Sequence, residues 1–178
     1  MYRAAAPTRS SLELLILTLL KQGLSTTYDL QTEAGLSLGA TVPALKRLAA
    51  AKLVTRKDAG RRIEFSVTRE GEKALASWTA PTRPSTDMDD LLRSAYLAWM
   101  AGGKNDAAAL LRQAIRARSR WAEELRDQIA GVELPLTTKP GSDSYRWLRT
   151  VAEAERADAD VKALESLAKA LEWKKNRR

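Results

Sequence analysis

Residues 36–71 read LSLGATVPALKRLAAAKLVTRKDAGRRIEFSVTREG and carry the patterns that decide the fold. A helix is predicted to open at Ser37 and to extend to about Lys52. Its apolar stripe is predicted at Val42, Leu45, Leu48 and Ala49. Because proline is comfortable only in the first turn of a helix, Pro43 predicts either a start near Gly39 or Ala40 or a kink at Pro43.

A β-hairpin pattern follows this helix directly. The first strand is predicted from Leu53, the turn at Asp58-Ala59-Gly60, and the second strand from Arg62 to Thr68. Ile63, Phe65 and Val67 alternate along the second strand, as expected for a strand with one buried face. Thr68 then caps a helix that extends to Trp78.

Two further helical patterns precede the quoted stretch, at Ser11 to Lys21 and from Ser25 or Thr26 to about Glu33. Three helices followed by a two-stranded wing hold a short third helix rigidly, so that its first turns can enter a major groove. Residues 1–78 are therefore predicted to form a winged helix-turn-helix DNA-binding domain.

The rest of the chain is predicted to be helical, which makes the fold class mainly α with a small β-wing. Residues 79–86 are rich in proline and small polar residues and form a predicted linker. Residues 87–178 are predicted to form an all-helical dimerisation domain with helices at Asp87 to Ala101, Asn105 to Ala130 and about Ser142 to Lys174. The first presents Met88, Leu92, Ala95 and Trp99 on one face. The last has a coiled-coil-like seam of Val151, Ala154, Ala157, Val161, Leu164, Ala168 and Leu171.

Composition excludes several classes of function. The chain has 178 residues, a formal charge of +8, no cysteine and no histidine. Disulfides, thiolate chemistry and the commonest metal ligand and general base are therefore absent. No Gly-rich phosphate loop is found, so neither catalysis nor a cofactor is predicted. The longest apolar stretch, Leu14 to Leu20, is too short to span a membrane, and residues 1–10 lack the apolar region of a signal peptide. We expect no membrane association and a cytoplasmic location.

Basic residues concentrate around the third helix and the wing. Residues 46–62 contain seven lysines and arginines against the single acid Asp58. This excess favours double-stranded DNA as partner, since cations that neutralise phosphates release counterions. Each basic piece taken alone is also typical of a solvated surface. The contact residues predicted first are Thr41 and Lys46 in the major groove and Arg61 and Arg62 at its flank, followed by Tyr28, Ser37 and Arg47.

Two motifs carry a resemblance to a known family. Pro43-Ala44-Leu45-Lys46-Arg47-Leu48 and Thr68-Arg69-Glu70-Gly71, with Leu53-Val54 between them, resemble the PadR family of transcriptional regulators over most of residues 11–78. Tyr28 matches the tyrosine of the family's second helix. Val42 stands where the family often has an aromatic residue. The resemblance implies a repressor that binds DNA as a dimer, and the helical tail is similar to the C-terminal domain with which one PadR subgroup clasps its partner subunit.

The helical half is therefore expected to form a homodimer. Two-fold symmetry would place two third helices at half-sites about one DNA turn apart, which predicts an inverted-repeat operator. Large aromatics at helical spacing fill a dimer core or sandwich a small aromatic effector, and both alternatives apply to Trp99, Trp121, Trp147 and Trp173. A rival to DNA binding is a winged helix used as a protein docking module.

Overall fold

The computed structural model describes residues 9–60, 62–131 and 142–173, the side chains of residues 142, 143 and 173 excepted. Seven helices and one two-stranded antiparallel sheet occur in this part of the chain. They are α1 (Ser11–Lys21), α2 (Thr27–Thr32), α3 (Leu38–Ala50), β1 (Val54–Ala59), β2 (Arg62–Val67), α4 (Arg69–Ala76), α5 (Met88–Gly102), α6 (Lys104–Ala130) and α7 (Ser142–Trp173). The predicted fold class, mainly α with a small β-wing, is confirmed.

The chain divides into two compact units. The first comprises Met1–Ala80 and Leu92–Ala101, and the second comprises Pro81–Leu91 and Gly102–Arg178. The domain limits predicted at 78 and 87 stay a prediction. The grouping by contacts differs from them chiefly in α5, since Leu92–Ala101 is grouped with the first unit.

Side-chain caps fix where the first helices begin. The Ser10 hydroxyl accepts the Glu13 N–H at 3.2 Å at the start of α1. At α2, Thr26 and Asp29 form a reciprocal capping box, in which the Asp29 carboxylate accepts the N–H groups of Ser25 at 3.1 Å and Thr26 at 2.9 Å. The Ser25 and Thr26 bonds lower the pKa of the Asp29 carboxyl below its ordinary value.

The core of the first unit lies between α1, α2, α3 and the base of the hairpin. Its buried members are Ile16, Leu17, Leu19, Leu20, Leu30, Ala44, Leu45, Leu48, Leu53 and Val54. On α3 the inward row is Thr41, Ala44, Leu45 and Leu48, whereas Val42 is 37% exposed. The predicted stripe was therefore wrong at its first position. Because Ala44 is buried as well as Leu45 and Leu48, the buried face is centred close to the direction of Thr41, whereas Val42 lies about 110° round the helix from that centre.

α3 begins at Leu38, so Pro43 is its sixth residue and lies in the helix interior. The helix therefore begins one residue before the predicted start near Gly39, with Ser37 as its N-cap. Pro43 has no N–H to donate to the carbonyl of Gly39, four residues earlier in α3. Both residues are exposed, so water can replace the lost hydrogen bond.

The hairpin is anchored at its base. β1 and β2 pair in register from Val54 opposite Val67 to Ala59 opposite Arg62. The Phe65 N–H donates to the Ser25 carbonyl at 2.7 Å, and the Thr68 N–H donates to the Leu53 carbonyl at 2.9 Å. These two bonds tie β2 to the segment just before α2, and the end of β2 to the residue directly before β1.

The join between α3, β1 and α4 depends on Lys52, which has a φ of 59°. This left-handed conformation is typical of the residue that ends a helix. The Lys52 carbonyl accepts the Thr68 hydroxyl at 2.8 Å, and the same hydroxyl oxygen accepts the Gly71 N–H at 3.1 Å. The Thr68 hydroxyl therefore both caps α4 and links the end of β2 to Lys52, which follows α3.

The second unit is built around α6 and α7, which pack antiparallel. Three cross-helix ion pairs follow this direction: Arg112 with Glu172 at 2.5 Å, Arg118 with Asp160 at 2.7 Å, and Arg126 with Asp158. Within the seam predicted for α7, Ala154, Ala157, Leu164 and Ala168 are buried. The seam is thus covered by α6 of the same chain.

The face predicted for α5 was wrong at Leu92 and Trp99, whereas Ala95 is buried as predicted. The buried residues of α5 are Leu91, Ser94, Ala95, Leu97 and Ala98, while Leu92 is 39% and Trp99 40% exposed. The inward row combines the small Ser94, Ala95 and Ala98 with Leu91 and Leu97, and the larger Trp99 lies at the surface.

Candidate nucleic-acid interface

The first turn of α3 presents its backbone and small side chains to solvent. Ser37 is its N-cap and makes no side-chain capping bond, and Ser37, Leu38, Gly39 and Ala40 are all exposed. Tyr28 on α2 is also exposed, at 70%. A helix start with free N–H groups and small side chains can approach phosphates and base edges closely.

Thr41 does not belong to this surface. Its side chain is 0% exposed and its hydroxyl donates to the Ser37 carbonyl at 2.8 Å. The prediction that Thr41 reads the major groove was therefore wrong. A threonine can turn into a helical core because its hydroxyl is satisfied by a carbonyl four residues earlier.

Lys46 and Arg47 are neighbours with different environments. Lys46 is exposed. Arg47 donates its Nε to Glu13 at 2.6 Å, and the Glu13 side chain is only 9% exposed. Since a nearly buried carboxylate requires a compensating cation, Arg47 braces α3 against α1, whereas Lys46 is available for an external partner.

The wing carries fewer uncompensated charges than its sequence suggests. Arg56 pairs with Asp58 at 3.2 Å, and Lys57 lies directly across the ladder from Glu64. Arg62 is exposed and faces Ala59 across the ladder. Arg61 lies outside the described residues. Among the described wing cations, Arg62 therefore has neither an ion-pair partner on its own strand nor an acidic residue directly across the ladder.

The exposed side of α3 includes a residue that sequence reasoning placed in the core. Val42 is 37% exposed and precedes the exposed Pro43 by one residue. The sequence did contain a signal that Thr41 faces inward, because Thr41 lies four residues before Leu45 and seven before Leu48. It was missed because threonine was treated as a surface residue. The outward face of α3 thus has an apolar part beside Lys46.

The four predicted tryptophans have different surroundings. Trp99 belongs to the first unit, and in the second unit Trp121 is 39% exposed and Trp147 is half-buried. The Trp173 side chain lies outside the described residues. Trp121 borders a cleft of about 530 Å³, which is also lined by Pro84, Ser85, Thr86, Ala114, Ala117, Arg118 and Arg156.

Arg118 is the most buried charged residue of this cleft. Its guanidinium donates to the Thr86 carbonyl at 2.6 Å and pairs with Asp160 at 2.7 Å. Its Nε is buried and has no hydrogen-bond partner within the described part of the chain. Arg118 therefore joins α6, α7 and the segment at Thr86, and its charge is already compensated.

The described residues offer neither a metal site nor a membrane-spanning helix. They contain no group of three or more acidic, cysteine or histidine side chains placed to hold a metal ion. None of their helices combines the length and the apolar character needed to cross a membrane.

The three helices, the hairpin and the exposed α3 make the first unit a winged helix-turn-helix. The chain is similar to Bacillus subtilis PadR in complex with operator DNA, at 22% identity and TM-score 0.41, over 90% of this chain and 99% of that chain. It is similar to Bacillus subtilis PadR in complex with p-coumaric acid, at 22% identity and TM-score 0.40, over 90% of this chain and 98% of that one. A PadR-like transcriptional regulator from Bacillus cereus gives 16% identity and TM-score 0.38, over 92% and 99% of the two chains.

No family model and no curated protein matches the sequence.

Proposed function

We propose that this chain is a sequence-specific DNA-binding transcriptional regulator that acts as a repressor. The observation that carries the proposal is the uncovered outward side of α3, with Lys46 exposed on it and Arg62 exposed on the adjoining wing. In winged helix-turn-helix proteins this helix enters the major groove while the flanking elements contact the backbone.

Charge supports DNA over other partners of this surface. Neither Lys46 nor Arg62 takes part in an ion pair with another described residue, so both charges are free to neutralise phosphates. Tyr28 and Ser37 are also exposed and supply hydroxyl groups for phosphate contacts. Arg61, which directly precedes Arg62, is proposed as a second flank contact, and Arg47 contributes by holding α3 in place.

We further propose that the regulator is a homodimer on an inverted-repeat operator. Tyr145 and Leu148 on α7 are 70% and 60% exposed. Helical geometry places them on the side opposite the seam that packs against α6. Exposed apolar residues at helical spacing favour a second helix as their cover, and a second copy would give the two DNA readers their two-fold symmetry.

The cleft beside Trp121 supports a proposal about regulation. A cleft of about 530 Å³ lined by Trp121 and the exposed Arg156 has the size of a small-molecule site and offers both an aromatic ring and a cation. We propose that it takes a small aromatic effector. The alternative, that the tryptophans fill a dimer core, applies most directly to Trp147, which is half-buried on the same helix as Leu148.

A protein docking module is the second candidate function. It is favoured by one observation, the exposure of Leu38 at 43% and Val42 at 37% on α3, because exposed apolar residues are frequent in protein interfaces. DNA and protein partners would use the same side of α3, so a binding experiment is needed to distinguish the two functions.

The test is fluorescence anisotropy of the full chain with the DNA upstream of its own gene and with a shuffled fragment, over a salt series. Lys46→Ala and Arg62→Ala are expected to weaken binding and each to lower the slope of log affinity against log salt by about one. The matched control is Lys169→Ala, which removes an equal charge from the exposed surface of α7.

Tighter binding to the upstream fragment, lost in the α3 and wing variants but kept in the control, would establish the regulator. Equal binding to both fragments, or equal weakening by all three variants, would refute sequence-specific recognition through α3 and favour the docking module.

A further inference from the structure

The outward face of α3 has an unusual composition for a surface that binds DNA. The buried row of Thr41, Ala44, Leu45 and Leu48 fixes the inward direction of the helix. At 100° per residue, the opposite direction passes near Gly39, Pro43 and Lys46, with Val42 beside them. All four of these residues are exposed.

Lys46 is the one side chain in this group of four that can donate a hydrogen bond. Gly39 has no side chain, and a Cβ added there would meet nothing within 4 Å, so the backbone of the first turn can approach a partner closely. Val42 and Pro43 offer only apolar surface. Reading of base edges by hydrogen bonds is therefore largely unavailable to the centre of this face.

The neighbouring Thr41 makes the contrast sharper. Its hydroxyl could have read a base, yet it is turned inward and bonded to Ser37, while the isosteric Val42 is left exposed. Placing the apolar side chain outward loses hydrophobic burial, so a partner that covers Val42 would recover it.

One group in the major groove matches an apolar side chain, the 5-methyl of thymine. We propose that Val42 and Pro43 form an apolar ridge that contacts thymine methyls, so that this protein selects its operator by thymine position more than by hydrogen bonds. The inference rests on the proposed function, because it assigns the partner of the same face of α3.

The test compares the upstream fragment prepared with thymidine and the same fragment prepared with deoxyuridine in its place. This exchange removes the methyl and keeps the pattern of hydrogen-bond donors and acceptors. Each methyl buried at the interface is expected to contribute about fourfold in affinity. The wild type should therefore bind the deoxyuridine fragment at least fourfold more weakly.

Val42→Ala isolates the contribution of this side chain from any change in DNA deformability. The variant should fold, because the position is exposed and alanine favours helix. Its ratio of thymidine to deoxyuridine affinities should fall at least halfway towards one. Leu167→Ala, which shortens a leucine that is 42% exposed on α7, should leave the ratio unchanged.

The outcomes separate the two proposals. A wild type that prefers the upstream fragment over the shuffled one, with a ratio of one between thymidine and deoxyuridine, overturns the methyl contact and leaves the regulator intact. If Val42→Ala leaves the ratio of thymidine to deoxyuridine affinities unchanged, the methyl contact is likewise overturned and the regulator is left intact. Loss of the preference for the upstream fragment itself overturns the proposed function and this inference with it.

Discussion

Gly71 is buried in α4 where this helix crosses the base of the wing. A Cβ at this position would lie 2.7 Å from Val67 Cγ1 and 3.2 Å from the carbonyl carbon of Leu53, and closer still to the Leu53 oxygen. The Leu53 group is backbone and cannot rotate away. Gly71→Ala should therefore push α4 from the hairpin and weaken the bond by which the Leu53 carbonyl accepts the Thr68 N–H at 2.9 Å.

The magnitude follows from three contributions. Overpacking in a rigid site costs about 1–3 kcal/mol. A weakened backbone hydrogen bond adds about 1 kcal/mol, and the better helix propensity of alanine offsets about the same amount. The net loss is about 2 kcal/mol of unfolding free energy, which for a unit of this size lowers Tm by roughly 10 °C.

Differential scanning calorimetry of the full chain measures this loss. Gly39→Ala is the matched control, because a Cβ there meets nothing within 4 Å and the residue is helical. That variant should keep or raise Tm. A Gly71→Ala protein as stable as the wild type, or an equal loss in both variants, would refute the close contact between α4 and the wing base.

Three further results are expected. Asp29→Asn should lower Tm at neutral pH, because the folded-state pKa of the Asp29 carboxyl is depressed and its ionised form stabilises the fold. This stabilisation is present above the ordinary pKa range of aspartate and is lost as pH falls through the lower folded-state pKa. The Tm difference between the variant and the wild type should therefore close in an acid series. Arg47→Met should lower Tm more than Glu13→Gln, since only the first leaves a nearly buried carboxylate unpaired; equal losses would count against the brace. Leu164→Ala, at a 0% exposed seam position, should cost about 2–5 kcal/mol in denaturant unfolding, while Leu167→Ala should stay within about 0.5 kcal/mol.

Helical periodicity and capping residues predicted most of the fold. The caps at Thr26 and Thr68 gave the starts of α2 and α4, and the seam residues Ala154, Ala157 and Leu164 are buried as expected. What periodicity could not supply was the partner of that seam. A sequence pattern shows that a face needs a cover, but not whether the cover comes from the same chain or another.

The functional site was harder to predict from the sequence, because each wrong prediction there concerned the environment of a single side chain. Thr41 and Val42 have almost the same shape, and only the local bond from the Thr41 hydroxyl to the Ser37 carbonyl makes the inward position possible for threonine. Arg47 was treated as a free cation because Glu13 is distant in sequence. Long-range ion pairs leave no trace in local spacing.

The Lys52 joint determines which part of the wing can adapt. Both backbone polar groups of Lys52 are occupied, its N–H by the Ala49 carbonyl at 2.9 Å and its carbonyl by Thr68 at 2.8 Å. The amides of Phe65 and Thr68 are held equally firmly, so they should exchange slowly with deuterated solvent, while those near Gly60 exchange fast. The stem of the hairpin is therefore held to the rest of the first unit by hydrogen bonds on both strands. In the proposed regulator, this stem would keep the wing at a constant position relative to α3, and adaptation to differences in DNA groove width would be left to the end of the wing near Gly60.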